Sequence, residues 1–355
     1  MKLNKLLLTA LAGSLFFVSC SDDDSVNAPS GAYDNGVLIL NQGGFGHGDA
    51  SVSFLSNDFV LENNIFASVN PGNILGDTGQ DIGFNGDLAY IVMNFSNKIE
   101  IVNRYTFAHV ATITGDLDNP RYIAFHNGKG FVTNWGDATD TTDDFVAVVD
   151  LSNNTITSEI GVAEGPERII EENGKLYVTH KGGYGYGNTV TVINASTNAV
   201  VTSIAVGDVP NTMEEENGKL YVLCEGKPSW AGAETAGSLK VINLSNNTVA
   251  STLNLSAGSH PSNLVIENNK IYYTVDSNIF AIPVNATALP TEPLFTTEEQ
   301  GVYGVYSFAV KGGHIYVGDA MDYNSNGKVY TYSLTGALEN TFTVGVIPAG
   351  FYFNE

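Results

Sequence analysis

The chain has 355 residues, with 38 acidic against 15 basic side chains and a formal net charge of −23. That balance argues against a nucleic-acid partner, because phosphate recognition needs a basic face. An apolar content of 43% is ample for a core, and 38 glycines without a long 3.6-residue apolar stripe beyond residue 20 read as an all-β chain.

The N-terminus reads as a targeting segment. Lys2 and Lys5 form a charged region, and residues 6–18 form an apolar one that is too short to span a bilayer. The sequence Phe17-Val18-Ser19-Cys20 resembles a bacterial lipobox, although Phe17 stands where Leu is commonest. The resemblance implies that residues 1–19 are removed as a signal peptide and that Cys20 is lipidated. The alternative is an ordinary secretory signal with an incidental cysteine. The acidic run Ser21-Asp22-Asp23-Asp24-Ser25 resembles a surface-export signal of Gram-negative bacteria, which implies a lipid-anchored, outward-facing position at the outer membrane. Residues 20–33 are expected to be a polar tether, and residues 34–355 a single folded unit. Cys224, at the end of an apolar strand, reads as a buried structural thiol.

The folded unit is repetitive. Residues 166–209 contain four short runs rich in β-branched and aromatic residues, separated by turn residues, which predicts a four-stranded antiparallel sheet. The second strand carries an aromatic residue, Tyr177, and equivalents recur at Tyr90, Phe131, Tyr221, Tyr272 and Tyr316. Eleven residues upstream stand Gly79, Pro120, Pro166, Pro210, Pro261 and Val305. A proline there starts a first strand without breaking the hydrogen-bond ladder. Asn-Gly pairs such as Asn173-Gly174 and Asn217-Gly218 precede the aromatic residue, as expected of tight hairpins. This spacing predicts propeller blades, and the absence of Trp-Asp dipeptides separates them from the WD40 type.

The ends supply a seventh blade. Residues 35–40 resemble a second strand without a first, residues 50–55 and 59–66 follow as third and fourth strands, and residues 348–353 resemble a first strand at which the chain stops. The predicted fold is therefore an all-β, seven-bladed β-propeller of four-stranded antiparallel blades, whose C-terminal strand completes the N-terminal blade and leaves no free edge between the ends.

In such a ring, the loops joining second to third strands share one face with those joining successive blades. Here several are long and combine exposed-type aromatics with hydrogen-bond acceptors. The candidate ligand-binding residues are Phe45, His47, Phe95, Arg121, Trp135, Asp137, His180, Tyr184, Tyr186, Glu225, Trp230, Asp319 and Tyr323. No HExxH, GxSxG or phosphate-loop motif is present, and nothing in the residues argues for catalysis. Asp322, Asn324 and Asn326 match the first half of a calcium loop, but the twelfth position is Ser333 where a bidentate Glu is needed. An Asn-Gly hairpin is the alternative reading of that segment.

The phrases Asn217 to Val222 and Val192 to Gly207 resemble the YVTN-type propellers. Over nearly the whole mature chain, the sequence resembles the surface-exposed vitamin B12-binding lipoprotein family. That likeness rests on Asn41-Gln42-Gly43-Gly44-Phe45-Gly46, Asn119-Pro120-Arg121-Tyr122-Ile123, residues 317–323 and residues 345–351, with Gln42 and Gly44 departing from the family's opening. It implies a non-enzymatic protein that captures cobalamin or a related corrinoid and passes it to a TonB-dependent outer-membrane transporter, with no cofactor beyond that ligand. A surface propeller that binds glycan or protein is the alternative, and a propeller enzyme the third reading.

Overall fold

A computed structural model describes residues 30–137 and 139–355. The expected signal peptide, Cys20 and most of the tether lie outside the described residues. Seven four-stranded antiparallel sheets are arranged in a ring. In the complete blades the chain runs through the four strands in order from the channel outwards, as in Pro166–Glu172, Lys175–His180, Thr189–Asn194 and Ala199–Ala205. No helix among the described residues is long and apolar enough to cross a membrane.

The repeat signals act as expected. Pro120, Pro166, Pro210 and Pro261 each open a first strand. At the hairpin between first and second strands, Asn173 and Gly174 have φ of 53° and 76°, and Asn217 and Gly218 have 54° and 74°. Two successive positive φ values give the turn that matches the twist of an antiparallel pair, and Asn and Gly tolerate them best. The repeated aromatic residues are all buried, from Phe131 at 0% exposure to Tyr316 at 8%. They belong to apolar clusters that join each blade to a neighbour, as where Tyr177 packs with Met213 and Val222 of the following blade. The core is thus distributed between sheets around the ring.

The C-terminal strand, Pro348–Asn354, pairs with Gly36–Asn41 and supplies the innermost strand of the first blade. Its last asparagine is fully buried and donates from Nδ2 to the carbonyls of Tyr33, at 2.6 Å, and Arg104, at 2.8 Å. One expectation fails in this blade. Instead of a fourth strand over 59–66, only Leu61–Glu62 pairs, and a short helix, Ile65–Val69, follows. Asn64 has φ of 56° and ends the extended run, while Ile65 and Phe66 turn inward to fill the space against Leu38, Ile82 and Phe107. The Asn70 side chain then bridges to the next blade, donating to Phe107 O and accepting from the His109 N–H.

Strand direction defines two faces. One carries the tight turns between first and second and between third and fourth strands. The other carries the longer loops between second and third strands and between blades. The chain enters at the turn face: Tyr33 donates its N–H to Tyr105 O in a turn there, and its ring packs edge-on against Phe54 and Phe107.

Candidate functional site

The site begins with a backbone irregularity repeated around the ring. Near the start of the first strands in blades two to six, the pairing register shifts, between Gly79 and Asp81, Pro120 and Ile123, Pro166 and Ile169, Pro210 and Thr212, and Ser262 and Leu264. A β-bulge sets two residues opposite one, so consecutive side chains need not alternate between faces. The pairs Arg121–Tyr122, Glu167–Arg168 and Asn211–Thr212 therefore both reach the channel mouth, where they line a cavity of about 380 Å³ with Gln80, Asn263 and Tyr306. A second cavity of about 280 Å³ lies below it and shares Gln80, Tyr122, Arg168, Thr212, Asn263 and Ala349 with the first.

The mouth is a network of desolvated charge. Arg121 forms a forked pair with Glu167, Nε to Oε2 at 3.0 Å and Nη2 to Oε1 at 2.8 Å, and its guanidinium lies 4.2 Å from the centre of the Trp135 ring. Burial works against both charges, but their attraction outweighs it: Arg121 is held above its ordinary pKa, and Glu167 below its own by Arg121, Lys181 and Arg168. Lys181 lies 3.8 Å from Glu225, whose carboxylate also accepts from Asn211 Nδ2. Tyr306 donates its hydroxyl to Gln42 Oε1 at 2.6 Å.

Deeper in the channel the charges are not paired in this way. Asp81 accepts the Ile123 N–H at 3.1 Å and the Tyr352 hydroxyl at 3.1 Å; burial raises its pKa to about 6 against the pull of Arg168 and these hydrogen bonds. Arg168 stacks 4.1 Å from the centre of the Tyr122 ring. Glu214 is pushed up to about 7 by burial, with only the more distant Arg168 opposing. Because that value lies above the 4.5 of an exposed glutamate, the stability linked to this group is fully present below pH 4.5 and is lost as the pH rises through 7. Glu214→Gln is expected to leave stability unchanged at pH 4 and to raise it at pH 8, by up to about 3 kcal/mol. Urea denaturation of both proteins at the two pH values checks this, since every other titration is common to the pair.

Around the mouth, the structure brings many of the candidate residues to the loop-rich face. Phe45 and Phe95, 70% and 50% exposed, contact each other at 4.4 Å between ring centres, and Tyr184, Tyr186, Trp230 and Tyr323 are exposed. Exposed His47 lies in the same loop as Phe45, whose backbone is held by Asp77 accepting the N–H groups of Gly46 and Gly48. Arg121 and Glu225 sit in the mouth itself. Tyr323 meets Tyr306 edge-on at 5.9 Å.

Four candidates are placed otherwise. His180 is buried at 1% exposure, with Nδ1 2.8 Å from Ala163 O and Nε2 2.8 Å from Thr191 Oγ1, and burial lowers its pKa to about 4. It fastens a strand end and does not face a ligand. Trp135 is half-buried, with its Nε1–H donated to Pro166 O at 3.1 Å, so it positions Arg121 and is no free rim aromatic. Asp137 accepts the Thr139 N–H and hydroxyl, and buried Asp319 accepts the Met321 N–H; both shape their own loops. The 322–327 segment behaves similarly. Asp322 Oδ1 accepts the N–H groups of Asn324 and Ser325, and Asn326 already begins the strand Asn326–Ser333, so no hairpin forms at Asn326-Gly327. Among the described residues, no group of three His, Cys, Asp or Glu side chains is arranged to hold a metal. Cys224 is buried, as expected.

Sequence reasoning missed Gln80, Glu167, Arg168, Asn211, Glu214, Asn263, Tyr306 and the 85%-exposed Tyr303. One signal was present: two consecutive polar or charged residues follow each of Pro166, Pro210 and Pro261 before an apolar one, a break in strand alternation that marks the bulge.

Fold and site together define a seven-bladed β-propeller with a polar, charge-paired mouth on its loop-rich face. The chain belongs to the family described as "Domain of unknown function (DUF5074)", whose profile matches residues 35–307. No curated protein matches it. Among solved structures it is similar to a quinonprotein alcohol dehydrogenase-like protein from Bacteroides thetaiotaomicron, with a TM-score of 0.67 and 16% identity over 91% of this chain and 79% of that one. It is also similar to a functionally unknown protein from Desulfotomaculum acetoxidans, with a TM-score of 0.62 and 11% identity over 90% and 98% of the two chains. Kuenenia stuttgartiensis hydrazine synthase gives 0.60 and 17% identity over 79% of this chain and 92% of that one. At such identities the likeness is one of fold alone.

Proposed function

We propose that this propeller is a non-enzymatic binding protein whose loop-rich face takes up cobalamin or a related corrinoid. In this reading it is anchored through a lipidated Cys20 at the outer-membrane surface and hands its ligand to a TonB-dependent transporter. The observation that carries the proposal is the pairing of a polar mouth with an exposed aromatic surround. A corrinoid is a large rigid disc with apolar edges and many peripheral amides. Phe45, Phe95, Tyr184, Trp230 and Tyr323 offer apolar area for its edges, while Gln80, Asn211, Asn263 and the Arg121–Glu167 pair offer donors and acceptors for its amides. These groups stand on a closed ring, which reduces the ordering cost of binding. The sequence resemblance supports the choice of ligand.

Titration calorimetry with cyanocobalamin tests this reading. Binding at micromolar concentration or tighter is expected, and Tyr184→Ala combined with Trp230→Ala is expected to weaken it by about tenfold or more with an unchanged melting temperature. Absence of binding at those concentrations rejects the corrinoid. Binding of an oligosaccharide in its place would favour the second reading, since exposed aromatics beside acceptors also suit sugar rings.

A further inference from the structure

The lower cavity holds two charged groups that the mouth does not use. Among the described residues, neither the Arg168 guanidinium nor the Glu214 carboxyl has a hydrogen-bond or ion-pair partner, although the guanidinium rests against the Tyr122 ring. Their neighbours are already committed. Asp81 is satisfied by Ile123 and Tyr352, Glu167 by Arg121, and Glu225 by Lys181 and Asn211. Both side chains are half-buried on the channel wall, so each can be reached from the space that it lines. Two groups of opposite sign thus line one space of about 280 Å³.

We propose that this cavity is a separate binding site for a small zwitterion of the amino-acid class, whose carboxylate is received by Arg168 and whose ammonium is received by Glu214. The Tyr122 ring lies 4.1 Å from the guanidinium carbon and none of the guanidinium N–H groups is taken by an acceptor among the described residues, and such a group can receive a carboxylate in a fork. Glu214 lies on the adjoining blade and supplies the opposite charge. A ligand with one sign of charge would pair with one group only, whereas a zwitterion pairs with both and adds no net charge to the channel. The cavity is below the usual size of pockets for drug-sized ligands, roughly 300–1,000 Å³, which restricts the occupant to a small molecule. It adjoins the mouth, with which it shares lining residues.

The test is calorimetry and saturation-transfer NMR on the corrinoid-free protein, with the standard L-amino acids one at a time. For the tightest binder, the matched carboxylic acid without the amine and the matched amine without the carboxylate are then measured. At least one amino acid is expected to bind, with each matched probe weaker by about tenfold or more. Arg168→Gln and Glu214→Gln are each expected to abolish this binding, and the second to do so while raising the melting temperature of the unliganded protein at pH 8. If Arg168→Gln does not fold, Glu214→Gln alone decides. The proposal is overturned if no amino acid binds at millimolar concentration, if a matched probe binds as tightly as its parent, or if Glu214→Gln retains full binding. Because no corrinoid is present, none of these outcomes bears on the cyanocobalamin titration.

Discussion

Glu167→Gln is expected to cost about 3–5 kcal/mol of stability, the range for breaking a desolvated ion pair from one side. The carboxylate side chain is 6% exposed and that of Arg121 16%, so little water can replace the lost partner. The substitution keeps the shape of the side chain but leaves the Arg121 charge facing Trp135 and the channel with no carboxylate in contact. Replacing both residues by methionine is expected to recover most of the loss, because the pair's attraction is largely spent on its own desolvation. Urea titration of the single and double variants at pH 7 measures both quantities. Equal destabilisation in the two would mean that packing, and not charge, is what the pair contributes. The pH dependence has a definite sign: Glu167 is held below its ordinary pKa, so its contribution is present at neutral pH and is lost only as the pH falls through that lowered value.

Removing residues 348–355 is expected to be worse. The last strand places Phe351 and Phe353 against the cluster of Val37, Ile39 and Tyr316, and Tyr352 against the cluster of the first and second blades. Fully burying such a ring is worth about 1.5–3 kcal/mol, and these three are partly buried. Together they are a large share of the ~5–15 kcal/mol that holds a whole domain together. Truncation also opens the Gly36–Asn41 edge to solvent and removes Asn354 from its carbonyl partners. The truncated chain should therefore fail to give a single cooperative melt and should aggregate through the exposed edge. Adding a synthetic peptide of residues 348–355 should restore part of the melt by strand addition. A truncated protein with the full-length melting temperature would show that the ring does not depend on this closure.

The ring was legible because its signals are local and repeated. A proline at most first strands, positive-φ residues at the hairpins and a buried aromatic residue in six of the second strands depend on short-range geometry and burial parity, and their repetition made the register readable. The closing strand was legible as the complement of an incomplete blade. The site was legible only in outline. Loop length marked the face on which Phe45, Phe95, Tyr184 and Trp230 stand exposed. It misplaced His180, because whether a strand-end histidine points out or folds under the loop before its own blade is a non-local matter. Trp135 was overrated for the same reason: its indole is claimed by a carbonyl more than thirty residues away in sequence, Pro166 O. The mouth residues were missed because a bulge changes side-chain direction without changing composition. The helix at Ile65–Val69 was missed because five residues are too few for a helical period to stand out from a strand that stops early.

The docking of Tyr33 on the turn face also bears on orientation. If Cys20 carries the lipid, the connection to the bilayer leaves the ring from the side opposite its mouth, and the opening is carried outward like a cup on its stem. Residues 20–33 reach at most about 45 Å when fully drawn out, at roughly 3.3–3.6 Å per residue. A transporter lying flush with the lipid surface would then meet the turn face first. Capture from the medium and delivery downward would become distinct postures of one molecule, separated by an overturning that the leash must be long enough to permit. Shortening 20–33 would be the way to lock the first posture and suppress the second.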